Sequence, residues 1–338
     1  MTVALDSIQK TGYKTRLGSC VCGDSLHLLE QVEDSSIDLV ITSPPFALQR
    51  QKEYGNESQI NYVDWLLTFA EKVFEKLKDT GSFVIDIGGA YEKGIPSYSI
   101  YQFKALIAFC DQIGFKLAQP FYWHNPSALP APIEWVNKRK LRAKNSVNTI
   151  WWLTKTPFCK ANVSNVLTPY SSRMEKLIQN PEGFVKEEGT VRPSGHVMGK
   201  KSWMKNNGGA IPPNLLQISN SESNSNYLSI CKKLGVKSHP ARFPVKIPEF
   251  FIKFLTDEDD LVVDIFAGSN TTGYACEKLN RKWLAFELSK EYVATSSFRF
   301  CPNDVAGKKA REQILNGAFF DLSAYSSFTQ GYQGQLDL

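Results

Sequence analysis

Two adjacent prolines set the tightest limit on how this chain folds. The apolar run Ile37-Asp38-Leu39-Val40-Ile41 stops at Thr42-Ser43-Pro44-Pro45. A Pro-Pro pair removes two backbone donors and ends any strand. The run is therefore predicted as a buried strand that finishes in a rigid turn. Trp65, Leu66, Phe69, Val73 and Leu77 then recur at helical spacing, with Gly81 just past the predicted helix end. A strand is predicted over 82–87, closed by Gly88-Gly89. Ile100, Phe103, Leu106, Ile107, Cys110 and Ile113 mark a second helix, stopped at Gly114. Further strands are predicted at 121–123 and 149–153. Strands alternating with amphipathic helices predict an α/β fold, a parallel sheet covered on both faces.

The rhythm fails between 155 and 240. That stretch is rich in Asn, Ser, Pro, Gly and Lys and reads as a loop-rich insertion. It resumes from 241, with a helix over 248–255 and a strand over 261–266. A loop at Ala267-Gly268-Ser269-Asn270 opens a helix from Thr271. A strand over 283–286 ends at Glu287, a helix follows over 290–299, and the tail after Cys301 reads as peripheral. The expected organisation is therefore 1–154, 155–240 and 241–338, within a chain of 338 residues. No internal repeat is visible.

Charge is unevenly spread. Residues 120–250 hold 19 Lys and Arg, 7 Glu and no Asp, a net +12, whereas the whole chain is only +5. An asymmetry of this size predicts a polyanionic partner on one side of the molecule. Seven mostly isolated cysteines do not form a disulfide framework. No apolar stretch has the length of a signal peptide or a membrane helix, so a cytoplasmic setting without membrane contact is expected. Cys20-x-Cys22 lacks the second ligand pair of a structural zinc site, and no metal is expected.

The segment Asp264-Ile265-Phe266-Ala267-Gly268-Ser269-Asn270-Thr271 is a strand, a Gly-bearing turn and a helix start. A carboxylate, Glu287, ends the next strand about 20 residues on. This arrangement fits an adenosine-containing cofactor, but the GxGxxG of dinucleotide enzymes is absent. The turn at Ser43-Pro44 fixes a set of hydrogen-bond acceptors, and Phe46 adds an aromatic face. Such a set suits a planar amine. Gly23-Asp24-Ser25-Leu26 also matches a serine-esterase block, but none of the four His lies in an Asp-x-x-His setting and none follows 239.

Taken together, these pieces resemble the amino-group DNA methyltransferases. Ser43-Pro44-Pro45-Phe46 resembles their catalytic motif, and the segment around Asp264, Phe266, Gly268, Ser269, Asn270 and Thr271 their S-adenosylmethionine loop. The catalytic motif comes first, as in the permuted beta class. Gly23-Asp24-Ser25-Leu26, Asp86-Ile87-Gly88-Gly89, the block at 121–127 and His239-Pro240-Ala241-Arg242-Phe243-Pro244 look like further family blocks. The segments at 133–140 and 211–217 are similar to the PvuII-type N4-cytosine modification methyltransferases. Ile265 and Asn270 depart from the family's usual Pro and second Gly.

The resemblance implies a Rossmann-like class I methyltransferase sheet in circularly permuted order. Its catalytic part would be 1–154, its target-recognition region 155–240 and its cofactor part, with the tail, 241–338. It implies S-adenosylmethionine bound by Asp24, Asp264, Phe266, Gly268, Ser269, Asn270, Thr271, Glu287 and Phe243. It implies methyl transfer to N4 of a flipped-out cytosine in double-stranded DNA, with Ser43, Pro44, Pro45, Phe46 and Asp86 catalytic. Asp86, in an apolar strand, is expected to hold a proton and donate it to cytosine N3. Lys138, Arg139, Lys140, Arg142, Lys144, Lys200 and Lys201 are expected to neutralise duplex phosphates, and Gln49 to Gln59 to form a lid. A bacterial-type, nucleoid-associated setting, a cognate restriction endonuclease and a CAGCTG-like site belong to the same implication. Transfer to adenine N6, action on RNA, and a silent DNA-binding regulator on the same scaffold remain open at this point.

Overall fold

Among the described residues, the strand that ends at the double proline lies in the middle of a ten-stranded sheet. The computed structural model describes residues 11–46, 61–180, 190–191, 193–195, 197–198, 206–220 and 225–325. Its strands are β1 (Gly12–Lys14), β2 (Gly18–Cys22), β3 (Ile37–Thr42), β4 (Leu77–Ile87), β5 (Lys116–His124) and β6 (Val147–Thr154). They continue with β7 (Thr190–Val191), β8 (Val197–Met198), β9 (Leu215–Gln217), β10 (Leu261–Asp264), β11 (Lys282–Glu287) and β12 (Phe319–Asp321). The helices are α1 (Ser25–Leu29), α2 (Tyr62–Lys76), α3 (Tyr101–Ala108), α4 (Ser172–Gln179), α5 (Asn226–Lys233), α6 (Lys246–Leu255), α7 (Thr271–Lys278), α8 (Lys290–Ser296) and α9 (Asp304–Leu315).

The sheet order is β12-β1-β2-β11-β10-β3-β4-β6-β5-β9. The centre, β2-β11-β10-β3-β4, is parallel. β6 runs antiparallel to both β4 and β5, and β1 antiparallel to β2. The sheet is thus mixed rather than parallel throughout. A reversed strand that is buried carries the same apolar run as a parallel one, so the sequence does not mark its direction. Central strand residues are buried on both faces. On one face Phe83, Ile85, Val263, Leu284 and Phe286 join a core with α1, α2 and α3. The intervening residues Leu39, Val84, Val262 and Trp283 are equally buried, on the side where α6 and α7 meet β3, β10 and β11.

Three local readings change. Gly81 lies inside β4, which starts directly where α2 ends at Leu77. On α3 the marker residues Ile100, Phe103 and Ile107 are exposed, while Tyr101, Ala105 and Ala108 are buried. This helix continues as a π-helical turn over Phe109–Ile113, and Gly114 ends it at φ 100°, where only glycine is unstrained. The tail is not peripheral. α9 buries Ala310 and Ile314, and β12 pairs with β1 at the sheet edge; a three-residue strand is too short to leave a periodic signal.

The described residues divide into two compact units, one from 11–161 with 214–325, the other from Asn162–Pro213. The second holds α4, capped by Ser171 on Met174 N, the β7–β8 hairpin, and a bridge between Thr168 and Ala210. Residues 214–240, read with the insertion, supply β9 and α5 to the first unit.

Candidate active site

In a parallel sheet, ligands bind beyond the carboxyl ends of the strands. Here the carboxyl ends of β2, β11, β10, β3, β4 and β5 border one cavity of about 560 Å³, entirely within the first unit. β6 begins at the same end because it is reversed, which brings Asn148 to the wall.

Ser43 and Asp86 meet there. Ser43 Oγ donates to Asp86 Oδ2 at 3.1 Å, and Asn148 Nδ2 donates to the same oxygen at 3.4 Å. Asp86 is 2% exposed, and its Oδ1 is buried with no partner. Burial pushes its carboxyl up to about 7, against the pull of these two hydrogen bonds. Beside it, Pro44, Pro45 and Phe46 line the wall. The Phe46 ring packs closely on Gly88: a Cβ added there would sit 2.3 Å from its Cε2. Gly88→Ala should displace this ring from the cavity wall, measured as a fall in melting temperature against wild type.

Asp264 joins the two halves of the chain. It accepts from Thr42 Oγ1 at 2.7 Å, Thr272 Oγ1 at 2.6 Å and Phe266 N at 3.1 Å. Burial raises its carboxyl. Its role is to tie the end of β3 to the start of α7. Glu287 accepts from Gly268 N and Ser289 N, each at 2.8 Å, and burial raises it as well. Gly268 has φ 50°, and a Cβ there would meet the His239 ring at 3.2 Å. Burial pushes the His239 imidazole down to about 4, so the ring is neutral. The loop is gripped from behind by buried Arg299, which donates to Ser269 O at 2.6 Å, Ser269 Oγ at 3.1 Å and Thr271 Oγ1 at 2.9 Å.

The residues that border this cavity, Asp24 and Ser25 apart, lie within one family match. The sequence profile of the DNA methylase family N6_N4_Mtase matches residues 37–298, from the strand before the double proline to the helix after Glu287. The chain belongs to the DNA methylase family. The Type II methyltransferase M.PvuII of Proteus hauseri is 59% identical over 319 residues, 94% of each chain. The solved PvuII DNA methyltransferase (cytosine-N4-specific) superposes with a TM-score of 0.75 and 52% identity, covering 93% of this chain and 98% of that one. The Type II methyltransferase M.BglII of Bacillus subtilis is 25% identical over 280 residues, 83% of this chain and 68% of that protein.

Within the methylase, Asp24, Phe243, Asp264, Phe266, Gly268, Ser269, Thr271 and Glu287 all border the cavity that holds Ser43 and Asp86. Asn270 does not. Its side chain is fully buried, donates to Tyr13 Oη at 2.9 Å and caps α7 through Gly273 N at 2.9 Å. Asp24 caps α1 through Leu26 N. Among the basic residues, Lys138 and Arg139 pair with Glu134 at 3.3 and 2.9 Å. Arg142 donates to Pro96 O and Lys144 to Pro126 O and Ala128 O; Lys140 sits at φ 54°. Lys200, Lys201 and the lid expected at 49–59 lie outside the described residues.

Trp65 and Phe69 were legible only as core positions of α2, yet both pack on Phe266 and reach the cavity. Asn125, Asn145, Asn148 and Asn220 also border it. Asn125 falls in the block at 121–127, but isolated Asn residues in loops and at strand ends give no periodic signal, so Asn145, Asn148 and Asn220 were not singled out. Among the described residues, no group of three His, Cys, Asp or Glu is placed to hold a metal ion. No helix among them is long and apolar enough to cross a membrane.

Proposed function

We propose that this protein is a site-specific DNA methyltransferase that moves a methyl group from S-adenosylmethionine to N4 of cytosine in double-stranded DNA. The observation that carries this reading is the single cavity shared by the Ser43–Asp86 pair and the Gly268–Glu287 loop.

The donor set fits the cofactor. Gly268 gives backbone access, and Glu287 keeps lone pairs for sugar hydroxyls after accepting from two backbone N–H groups. Asp24, Phe266, Ser269, Thr271 and Phe243 complete the wall. S-adenosylmethionine supplies an activated methyl group on a sulfonium. The remaining work falls to the chain. A cytosine amine inside a duplex is paired and stacked, so the base must leave the helix to reach the cavity. Phe46, seated on Gly88, offers it a stacking face. The amine's lone pair is delocalised into the ring. Ser43 commits its own proton to Asp86, so its oxygen lone pairs are free to accept an amine N–H. The Pro44 carbonyl is a second acceptor. Two such bonds favour a pyramidal nitrogen with an available lone pair. The amine must also lose one proton. That proton passes to Ser43 Oγ as the Ser43 hydroxyl proton moves to Asp86 Oδ2, a carboxylate that titrates near neutrality.

One observation favours a second role for Asp86. Its Oδ1 has no partner, so a proton held there can be donated to cytosine N3. The two roles give opposite pH dependences. Proton acceptance makes transfer rise with pH through about 7, and donation makes it fall.

Net charge in the 120–250 region supports a duplex partner. A cognate restriction endonuclease, a cytoplasmic site at the nucleoid and a CAGCTG-like target follow from the M.PvuII likeness and are part of this proposal. The decisive experiment is nucleoside analysis of DNA treated with enzyme and S-adenosylmethionine. N4-methylcytosine is the expected product. N6-methyladenine would redirect the reading to adenine, and an unmodified digest would favour the silent regulator.

A further inference from the structure

A base that leaves the helix leaves a gap, and proteins that distort duplexes often fill such gaps with an apolar side chain. The connection between β5 and β6 presents one. Leu129 is 81% exposed, directly after Ala128, which lines the cavity. An isolated exposed leucine is ordinary in itself. Its setting is what distinguishes it. Pro126, Pro130 and Pro132 fix backbone angles on either side. Ala128 N donates to Asn125 O at 3.1 Å and Ser127 N to Asn125 Oδ1 at 3.2 Å. Lys144 Nζ ties Pro126 O and Ala128 O together at 3.3 and 3.1 Å, and Asn145 N donates to Ala131 O at 3.0 Å. The result is a stiff loop with an apolar tip. The same connection holds the exposed Lys140 and Arg142, beside Lys138 and Arg139, which share Glu134, a net positive charge that a phosphate backbone would meet.

We propose that Leu129 inserts into the duplex beside the cavity and occupies the space left by the target cytosine. This rests on reading the chain as a base-flipping DNA methyltransferase. The occupant of this surface is double-stranded DNA, indicated by the cations on the same loop and by continuity with the cavity.

The test uses the full chain, a duplex that the wild-type enzyme methylates, and a copy of that duplex with pyrrolo-cytosine at the target position for fluorescence alone. A second duplex places the target cytosine opposite an abasic site, where little pairing must be broken. Leu129→Ala should slow single-turnover methylation roughly tenfold on the paired duplex, an effect set by the cost of unpairing. It should change the rate little on the abasic duplex, and it should reduce the fluorescence gain on the paired one. Substitution at so exposed a position leaves folding intact. Phe158→Ala serves as control, because Phe158 is 87% exposed and follows β6 at the far end of that strand. Equal loss on both duplexes, no loss on either, or a matching loss in Phe158→Ala overturns the assignment. A wild-type protein that neither methylates nor raises fluorescence would overturn the underlying function instead.

Discussion

Ser43→Ala should lower the single-turnover rate of methyl transfer by roughly 100-fold, the usual loss for one preorganised polar group acting on the transition state. Cofactor affinity should stay unchanged. Ser43 touches Asp86 and in the proposed reading meets the amine, whereas the loop at 267–270 is held by Glu287 and Arg299. The variant should also move the pH midpoint upward, because the Ser43 hydrogen bond stabilises the charged form of Asp86. Calorimetric titration with S-adenosylhomocysteine, beside the pH profile, separates this from a folding defect. A variant that loses cofactor binding and rate together would assign Ser43 a structural role.

Asp86→Asn should make the protein more stable and less active. The Asp86 carboxyl titrates at about 7 when folded, against an ordinary 3.8. Between these values the native state holds a proton that the unfolded chain has released. Stability contributed by the neutral carboxyl is therefore complete at low pH and falls as pH rises toward 7, by an amount on the order of a few kcal/mol. Asparagine does not titrate, so its advantage should be absent near pH 4 and full at pH 8, read as the melting-temperature difference between variant and wild type. Turnover should drop by roughly 100-fold if Asp86 is the terminal proton acceptor. If Asp86 acts by donation, the amide N–H of asparagine can replace the carboxyl proton. Turnover would then survive, and the fall in rate at high pH would disappear.

The parts of the site that lay in contiguous sequence were readable. Ser43 to Phe46 follow an apolar run into a turn that proline dictates, and Gly268 to Thr271 follow another. Glu287 was found because the next strand ends there. Asn270 was placed in the cofactor set by its position in the loop. The structure instead turns its side chain to Tyr13 and Gly273, because Asn270 is the N-cap of α7 and its amide is used there. The basic run at 138–144 read as unopposed charge, but Glu134 lies one helical turn away and takes two of its cations. Trp65 and Phe69 looked like core because a helix face that packs on a sheet and one that edges a cavity share the same spacing.

The sequence by itself determined where strands stop, which turns are rigid and which side chains stand at those turns, because proline, glycine and periodicity act over a few residues. Tertiary structure alone decided that β10 inserts beside β3, so that Thr42 and Asp264, 222 positions apart, share a hydrogen bond. It also decided that Ser43 donates a hydrogen bond to an Asp86 with one satisfied oxygen and one orphan. Strand order and burial are set by long-range packing, and the titration of a carboxyl depends on the water that packing removes.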